Sequence, residues 1–296
     1  MGEKVILDVF PFLDEVDLAE LRIRYLAKSV DGFVVSEFDH GFSGEKKEFN
    51  FPKVISKLPI DLRTKVHYFP QSQKVMNSNL FENDRFQKDS IGKIMRDNFS
   101  SKDIIIFGDV DEIPDRTSLE NINVKSSERF FFHFAQMNFL GFLNVVEETS
   151  LIHSYAGEFP NVTCSKWLGT ILTSAINLLD FSVTQLRDPD RKKHSIRVND
   201  GGWHFSFCGG ENSTFEERFA RKMKFSAHQE FNTNHVIREA SINLKKGKDP
   251  FERTFIKRFG PVKLTRRPRF RVLSGLGHLP VELSDLCTYP HLVASK

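Results

Sequence analysis

The feature that most constrains this chain is its opening rhythm. Four short apolar runs, Val5 to Val9, Phe33 to Ser36, Val66 to Phe69 and Ile104 to Phe107, alternate with helical patterns. Asp17 stands before Leu18, Leu21, Tyr25 and Leu26 at helical spacing, Asp17 and Glu20 have the offset of a capping box, and Gly32 is expected to end that helix. Asn83 or Asp84 is expected to cap a second helix, carrying Ile91, Ile94 and Met95. Apolar runs of this kind suit strands buried on both faces, so the pattern predicts an α/β fold with a mainly parallel sheet flanked by helices. Such sheets bind ligands beyond the carboxyl ends of their strands, and the residues just after each run therefore matter most.

Composition narrows the partners. With 296 residues the chain is long enough for a substantial core, and a net charge of +3 is too balanced for wrapping nucleic acid. The three cysteines, Cys164, Cys208 and Cys287, form no CxxC pair, so neither a zinc knuckle nor a disulfide framework is expected. The start, MGEKVILDVF, reads as neither a signal peptide nor a membrane anchor, which points to a cytoplasmic protein. Phe130 to Val146 is apolar but interrupted by His133, Gln136, Asn138 and Asn144, and reads as buried strands. A Phe-rich C-terminal elaboration follows, with a helical pattern around Phe215, Phe219 and Met223. A single domain over 1–296 is expected, with halves of about 1–127 and 128–296.

The sharpest chemical motif is Asp109-Val110-Asp111-Glu112-Ile113-Pro114, directly after the fourth run. Alternation points Asp109 and Asp111 the same way, where they repel unless a proton or a cation intervenes, and Mn²⁺ or Mg²⁺ is the natural partner. The plainer alternative is an acidic loop capping a helix. A second motif, Gly201-Gly202-Trp203-His204-Phe205-Ser206-Phe207, offers an indole to stack on a sugar and an imidazole for the same ion or for a phosphate. A strand with a glycine bulge and a buried histidine is its structural alternative.

Taken together, FPFLDEVDLAELRIRYLAKSVDGFVVSE, FSGEKKEFNF, DIIIFGDVDEIP and GGWHFSF, with FSAHQEFN and HLPVEL as weaker echoes, resemble glycosyltransferase family 17 over most of the chain. The resemblance implies a GT-A-like (Rossmann-like) sheet, a DxD metal site, a nucleotide-sugar donor, UDP-GlcNAc in particular, inversion at the anomeric carbon and a glycan acceptor. It gives Asp109 and Asp111 the DxD role, with Asp111 preferred for direct contact with the metal, beside the His204 ligand that the second motif offers. Glu37 falls where the uridine or ribose is met, unless it accepts from loop amides, and Arg22 is placed to reach the diphosphate or to support Glu37. Lys46 or Lys47, and Lys222 and His228, are candidates for phosphate contact. For the base, Glu211 is preferred, with Asp200 and Glu112 competing. Trp167 and Trp203 are expected to face the acceptor, with Phe139 a weaker candidate that also suits the core. Five cations in Lys263 to Arg271 could meet anionic lipid, making the protein peripheral to a membrane. No membrane anchor or stem is read, so a bacterial- or viral-type member is expected.

Two other readings compete. A catalytically silent carbohydrate-binding protein would use the tryptophans alone. A Mg²⁺-dependent phosphatase would also carry Asp-x-Asp at a strand end, but on its first strand and followed by Thr.

Overall fold

The computed structural model describes residues 5–72, 76–122, 130–148, 166–188, 195–253, 255–259, 262–266 and 268–295. The first part runs β1 (Ile6–Phe12), α1 (Val16–Leu26), β2 (Gly32–Phe38), α2 (Phe51–Lys57), α3 (Ile60–Arg63), β3 (Val66–Gln71), α4 (Leu80–Asn98), β4 (Ile104–Phe107), β5 (Glu112–Pro114) and α5 (Arg116–Glu120). It continues with β6 (Phe131–Phe134), β7 (Gln136–Leu140), β8 (Val145–Glu147), β9 (Lys166–Trp167), β10 (Ile171–Ser174), α6 (Val183–Leu186), β11 (Ile196–Val198) and β12 (Gly202–Ser206). After these come α7 (Phe215–Phe225), α8 (Asn234–Lys245), β13 (Phe255–Phe259), β14 (Val262–Arg266), β15 (Phe270–Val272) and α9 (Val281–Leu286).

The central sheet has the order β11-β6-β10-β4-β1-β2-β3. β4, β1, β2 and β3 pair in parallel, with Val9 opposite both Val34 and Phe107. This is the expected α/β sheet, parallel through these four strands. Its strands are apolar throughout because both faces are covered: Ile104 and Ile106 join a core with Leu18, Leu21 and Phe33, while Ile105 and Phe107 join Ile91 and Met95 of α4 on the other side. The Phe-rich half does not stand apart, since it supplies β6, β10 and β11 to this same sheet.

A second sheet, β15-β8-β7-β12-β5, meets the first at the acidic motif. β4 belongs to one sheet and β5 to the other, so Asp109 to Asp111 form the crossing between them. There Glu112 N–H donates to the Asp109 carbonyl at 2.9 Å, closing a turn where the sequence suggested a continuing strand. β12 lies between β5 and β7, with His204 opposite Glu112 on one side and Asn138 on the other. Gly202, at φ +114°, makes this approach possible, because a Cβ there would lie 2.2 Å from the Ile113 carbonyl.

Several local expectations are corrected by tertiary partners. α1 starts at Val16 without a side-chain cap. Asp17 is drawn to Lys57 at 2.8 Å and His291 at 2.9 Å, and Glu20 to Arg24 at 2.8 Å and the Tyr289 hydroxyl. Gly32 opens β2 and does not end α1. α4 is capped by Asn79, and Asn83 lies inside it, bonding to Asn77 and to the Phe42 carbonyl. Cys208 and Cys287 are free thiols, and Cys164 lies outside the described residues. Among the described residues no helix is long and apolar enough to cross a membrane. Of the basic segment Lys263 to Arg271, Arg267 and the side chains of β14 lie outside the described residues.

Candidate active site

The site rests on a buried charge pair. Asp8, in the middle of β1, and Arg22, on α1, are both fully buried and joined by two bonds, Nε to Oδ2 at 2.8 Å and Nη2 to Oδ1 at 2.7 Å. The remaining guanidinium nitrogen, Nη1, donates to the carbonyls of Asp109 at 2.7 Å and Glu112 at 2.8 Å. A buried cation needs every donor satisfied, and here the acidic turn supplies the acceptors. Arg22 therefore holds the turn from behind. It reaches no diphosphate, which corrects the role expected for it, and it does not touch Glu37.

In front of the turn lies a cleft of 270 Å³ at the carboxyl ends of β1, β2 and β4. Its wall includes Glu15, His40, Lys47, Lys88, Asp109, Asp111, Trp167, His204 and Lys222. Among the described residues, its acids are Glu15, Asp109 and Asp111. Asp109 meets Lys88 at 3.2 Å and Arg187 at 3.1 Å, and Asp111 meets Lys222 at 3.0 Å. Lys222 also lies 3.4 Å from Glu15, so its ammonium joins the end of β1 to the DxD turn.

The expected repulsion between the two aspartates is thus relieved by separate protein cations. Burial alone would raise both carboxyls, but Arg187 and Lys88 hold Asp109 well below the usual carboxylate range, and Lys222 lowers Asp111. Burial likewise works against the Lys222 ammonium, and Asp111 and Glu15 more than reverse it, lifting its pKa above the ordinary lysine value. At neutral pH these aspartates and Lys222 are all charged.

Alternation along β12 divides its motif between two faces. Trp203 and Phe205 enter the core, the indole 6.1 Å edge-on from Tyr25, whereas His204 and Ser206 face the cleft. Adjacent strand residues cannot share a face, and Trp203 is therefore a core residue and not an acceptor platform. Phe139 is also core, stacked on His278. Trp167 does line the cleft. It stacks on His204 with ring centroids 4.7 Å apart, and its Nε1 donates to Glu112 at 2.6 Å.

Glu112 itself is fully buried. Its carboxylate accepts from Trp167, from Arg187 at 2.6 Å and from the Asp109 N–H at 3.0 Å, leaving it a brace for the turn. The other acids considered as bases also stand away from the cleft wall. Glu211 is exposed, 3.4 Å from Lys53 and 3.7 Å from Lys57, and Asp200 is exposed with its carbonyl bound by Ser118. His228 is a surface residue paired with Glu230 at 2.9 Å.

Glu37 is fully buried at the end of β2 and accepts from Lys47 at 2.5 Å, the N–H groups of Asn50 and Phe51, and the Tyr68 hydroxyl. All of its acceptor capacity is spent on the start of α2 and on Lys47, so the loop-amide role holds and no ribose contact remains. Lys47 lines the cleft but is anchored by Glu37.

The residues around Asp111 fit a divalent cation in part. Asn138 gives its Nδ2 to Glu147 at 2.5 Å, which turns its Oδ1 to His204 Nδ1 at 2.9 Å. Nδ1 then carries the proton, and the Nε2 lone pair faces Asp111 Oδ2 3.8 Å away. Asp111 and His204 would hold a hard divalent ion there, which would supply positive charge to a neighbouring phosphate. Asp109 turns instead to Arg187 and Lys88. Among the described residues no three His, Cys, Asp or Glu side chains gather at ligand spacing.

Glu15, Lys88 and Arg187 escaped the sequence reading. Glu15 follows the first apolar run and could have been found by the strand-end rule. Lys88 and Arg187 carry no local signal.

The profile of glycosyltransferase family 17 matches residues 2–252, and the chain belongs to that family. Glycosyl transfer is the activity that membership carries. No curated protein matches the sequence. Among solved structures, the galactosyltransferase LgtC, determined in complex with donor and acceptor sugar analogs, is 13% identical, covering 79% of this chain and 81% of that one with a TM-score of 0.30.

Proposed function

We propose that this chain moves a sugar, N-acetylglucosamine, from a UDP donor to a glycan hydroxyl with inversion, assisted by Mn²⁺ or Mg²⁺. The observation that carries the reading is the concentration of paired charges at the carboxyl ends of β1, β2 and β4, where Lys222 faces Asp111 beside the open nitrogen of His204. Asp111 and His204 would hold the ion, which neutralises charge on the departing diphosphate. Lys222, kept protonated by Asp111 and Glu15, donates to a diphosphate oxygen as the donor arrives. Trp167, braced by Glu112, offers its exposed part to a sugar face. Arg22, Arg187 and Lys88 keep the turn in place without touching the sugar.

The phosphatase alternative finds no support in the first strand, whose acid Asp8 is buried beneath Arg22.

Calorimetric titration of UDP-GlcNAc with and without Mn²⁺, into wild type and Asp111→Ala, tests the reading, with UDP-glucose, UDP-galactose and GDP-mannose as comparison donors. Metal-dependent binding of UDP-GlcNAc that the variant loses is expected. Failure of folded wild-type protein to bind any nucleotide sugar in the presence of metal would overturn it.

A further inference from the structure

A second concavity, of 370 Å³, opens where the chain leaves α8 and passes β15. Lys248 and Arg269 face each other there as an isolated antiparallel bridge, and Lys246 lines the same hollow. Like charges directly opposite across a bridge repel, and a sheet ordinarily avoids that pairing. Among the described residues, no carboxylate lies within ion-pair distance of any of these three cations.

Two acids, Asp249 and Glu252, line the hollow as well, and of these Asp249 is already neutralised. Asp249 is buried and held by Arg253, with Nε at 2.9 Å and Nη2 at 2.8 Å, and it also accepts the Arg253 N–H at 2.8 Å. Glu252 accepts from Asn243 at 3.4 Å. A cation just past α8 is favoured by the helix dipole, which accounts for Lys246. It does not account for Arg269, which comes from another part of the chain. The backbone makes the juxtaposition deliberate: Gly247 sits at φ +67° and accepts the Phe270 N–H at 3.0 Å, and a Cβ at 247 would lie 2.7 Å from the Phe270 carbonyl.

We propose that the hollow formed by Lys246, Lys248 and Arg269 is an anion site for a phosphate group, separate from the cleft. A phosphomonoester placed between Lys248 and Arg269 converts their repulsion into two charge-assisted contacts, with Lys246 supplying a third. The hollow is small enough for a head group and not for an extended polyanion. This site lies at and beyond the end of the family-matched segment, and it does not rest on the donor chemistry proposed above.

The test uses the full chain, its Lys248→Gln/Arg269→Gln double variant, and Lys245→Gln as a control for a lysine outside the hollow. Inorganic phosphate is titrated by calorimetry at low salt, and sedimentation is measured with phosphatidylcholine vesicles containing or lacking phosphatidic acid. The expected result is binding of phosphate, of phosphatidic acid vesicles, or of both, weakened at least tenfold in the double variant and unchanged in Lys245→Gln. Phosphate binding alone identifies a soluble phosphorylated ligand, and vesicle binding alone identifies a lipid head group. Thermal unfolding guards against misfolding, because the double variant should melt no lower than wild type without phosphate and lose only the rise that phosphate produces. No binding by wild type in either arm, or equal binding by all three proteins, overturns the proposal.

Discussion

Arg22 Nη1 lies 2.8 Å from the Glu112 carbonyl, linking the first helix to the far end of the acidic turn. The same guanidinium closes on Asp8 in the first strand, so one side chain joins β1, α1 and the turn that carries Asp109 and Asp111. Where the DxD side chains point is therefore decided behind the cleft.

This relationship predicts a large penalty for Arg22→Ala. The substitution leaves Asp8 ionised or forcibly protonated in the core and should cost about 3–5 kcal/mol in urea unfolding. A loss below about 1 kcal/mol would show that the turn is held by other means.

The two tryptophans should separate cleanly. Trp203→Ala empties a core position and should destabilise by roughly 3–5 kcal/mol. Trp167→Ala removes one donor from Glu112, should cost about 1–3 kcal/mol, and should cut transfer activity more than its stability loss explains. Denaturation and initial-rate measurements on both variants check the contrast; the reverse ordering would place the wrong indole in the cleft.

On the proposed reading, Lys222→Met should weaken UDP-sugar binding about tenfold, the scale of one charge-assisted hydrogen bond. Glu15→Gln should act in the same direction by a smaller factor, because it only helps position the ammonium. Titrating the donor into each variant tests this, and unchanged affinity in Lys222→Met removes Lys222 from the donor site.

Asp109 makes a pH prediction. Arg187 and Lys88 outweigh burial and depress its folded pKa below the ordinary 3.8, so the stability it contributes is present above that value and is lost as pH falls through the lower folded one. The difference in unfolding free energy between wild type and Asp109→Asn should be constant from about pH 8 to 5 and shrink below about pH 4. A difference that instead grows in acid contradicts the ion pairing.

The sheet was legible because its strands repeat one signal. Ile104, Ile105, Ile106 and Phe107 can all be apolar only if both faces are covered, and the structure covers both. The acidic turn was legible because it follows a strand, and His204 and Trp203 could have been assigned to opposite faces by the two-residue period alone. The capping box at Asp17 misled because its two acids found Lys57, His291, Arg24 and Tyr289, groups up to 274 residues away.

The amino-acid sequence by itself determined the four parallel strands and the helices α1 and α4 of the opening half, the family, and the place where the acidic motif falls. Those properties follow from periodicity and from neighbours along the chain. Only the tertiary structure decided that Arg22 and Glu37 are buried supports, that Glu112 braces Trp167 and Arg187, and that Lys88, Arg187 and Lys222 neutralise the DxD pair. A charge is assigned its role by the partners that replace its water, and those partners come from elements the sequence keeps far apart.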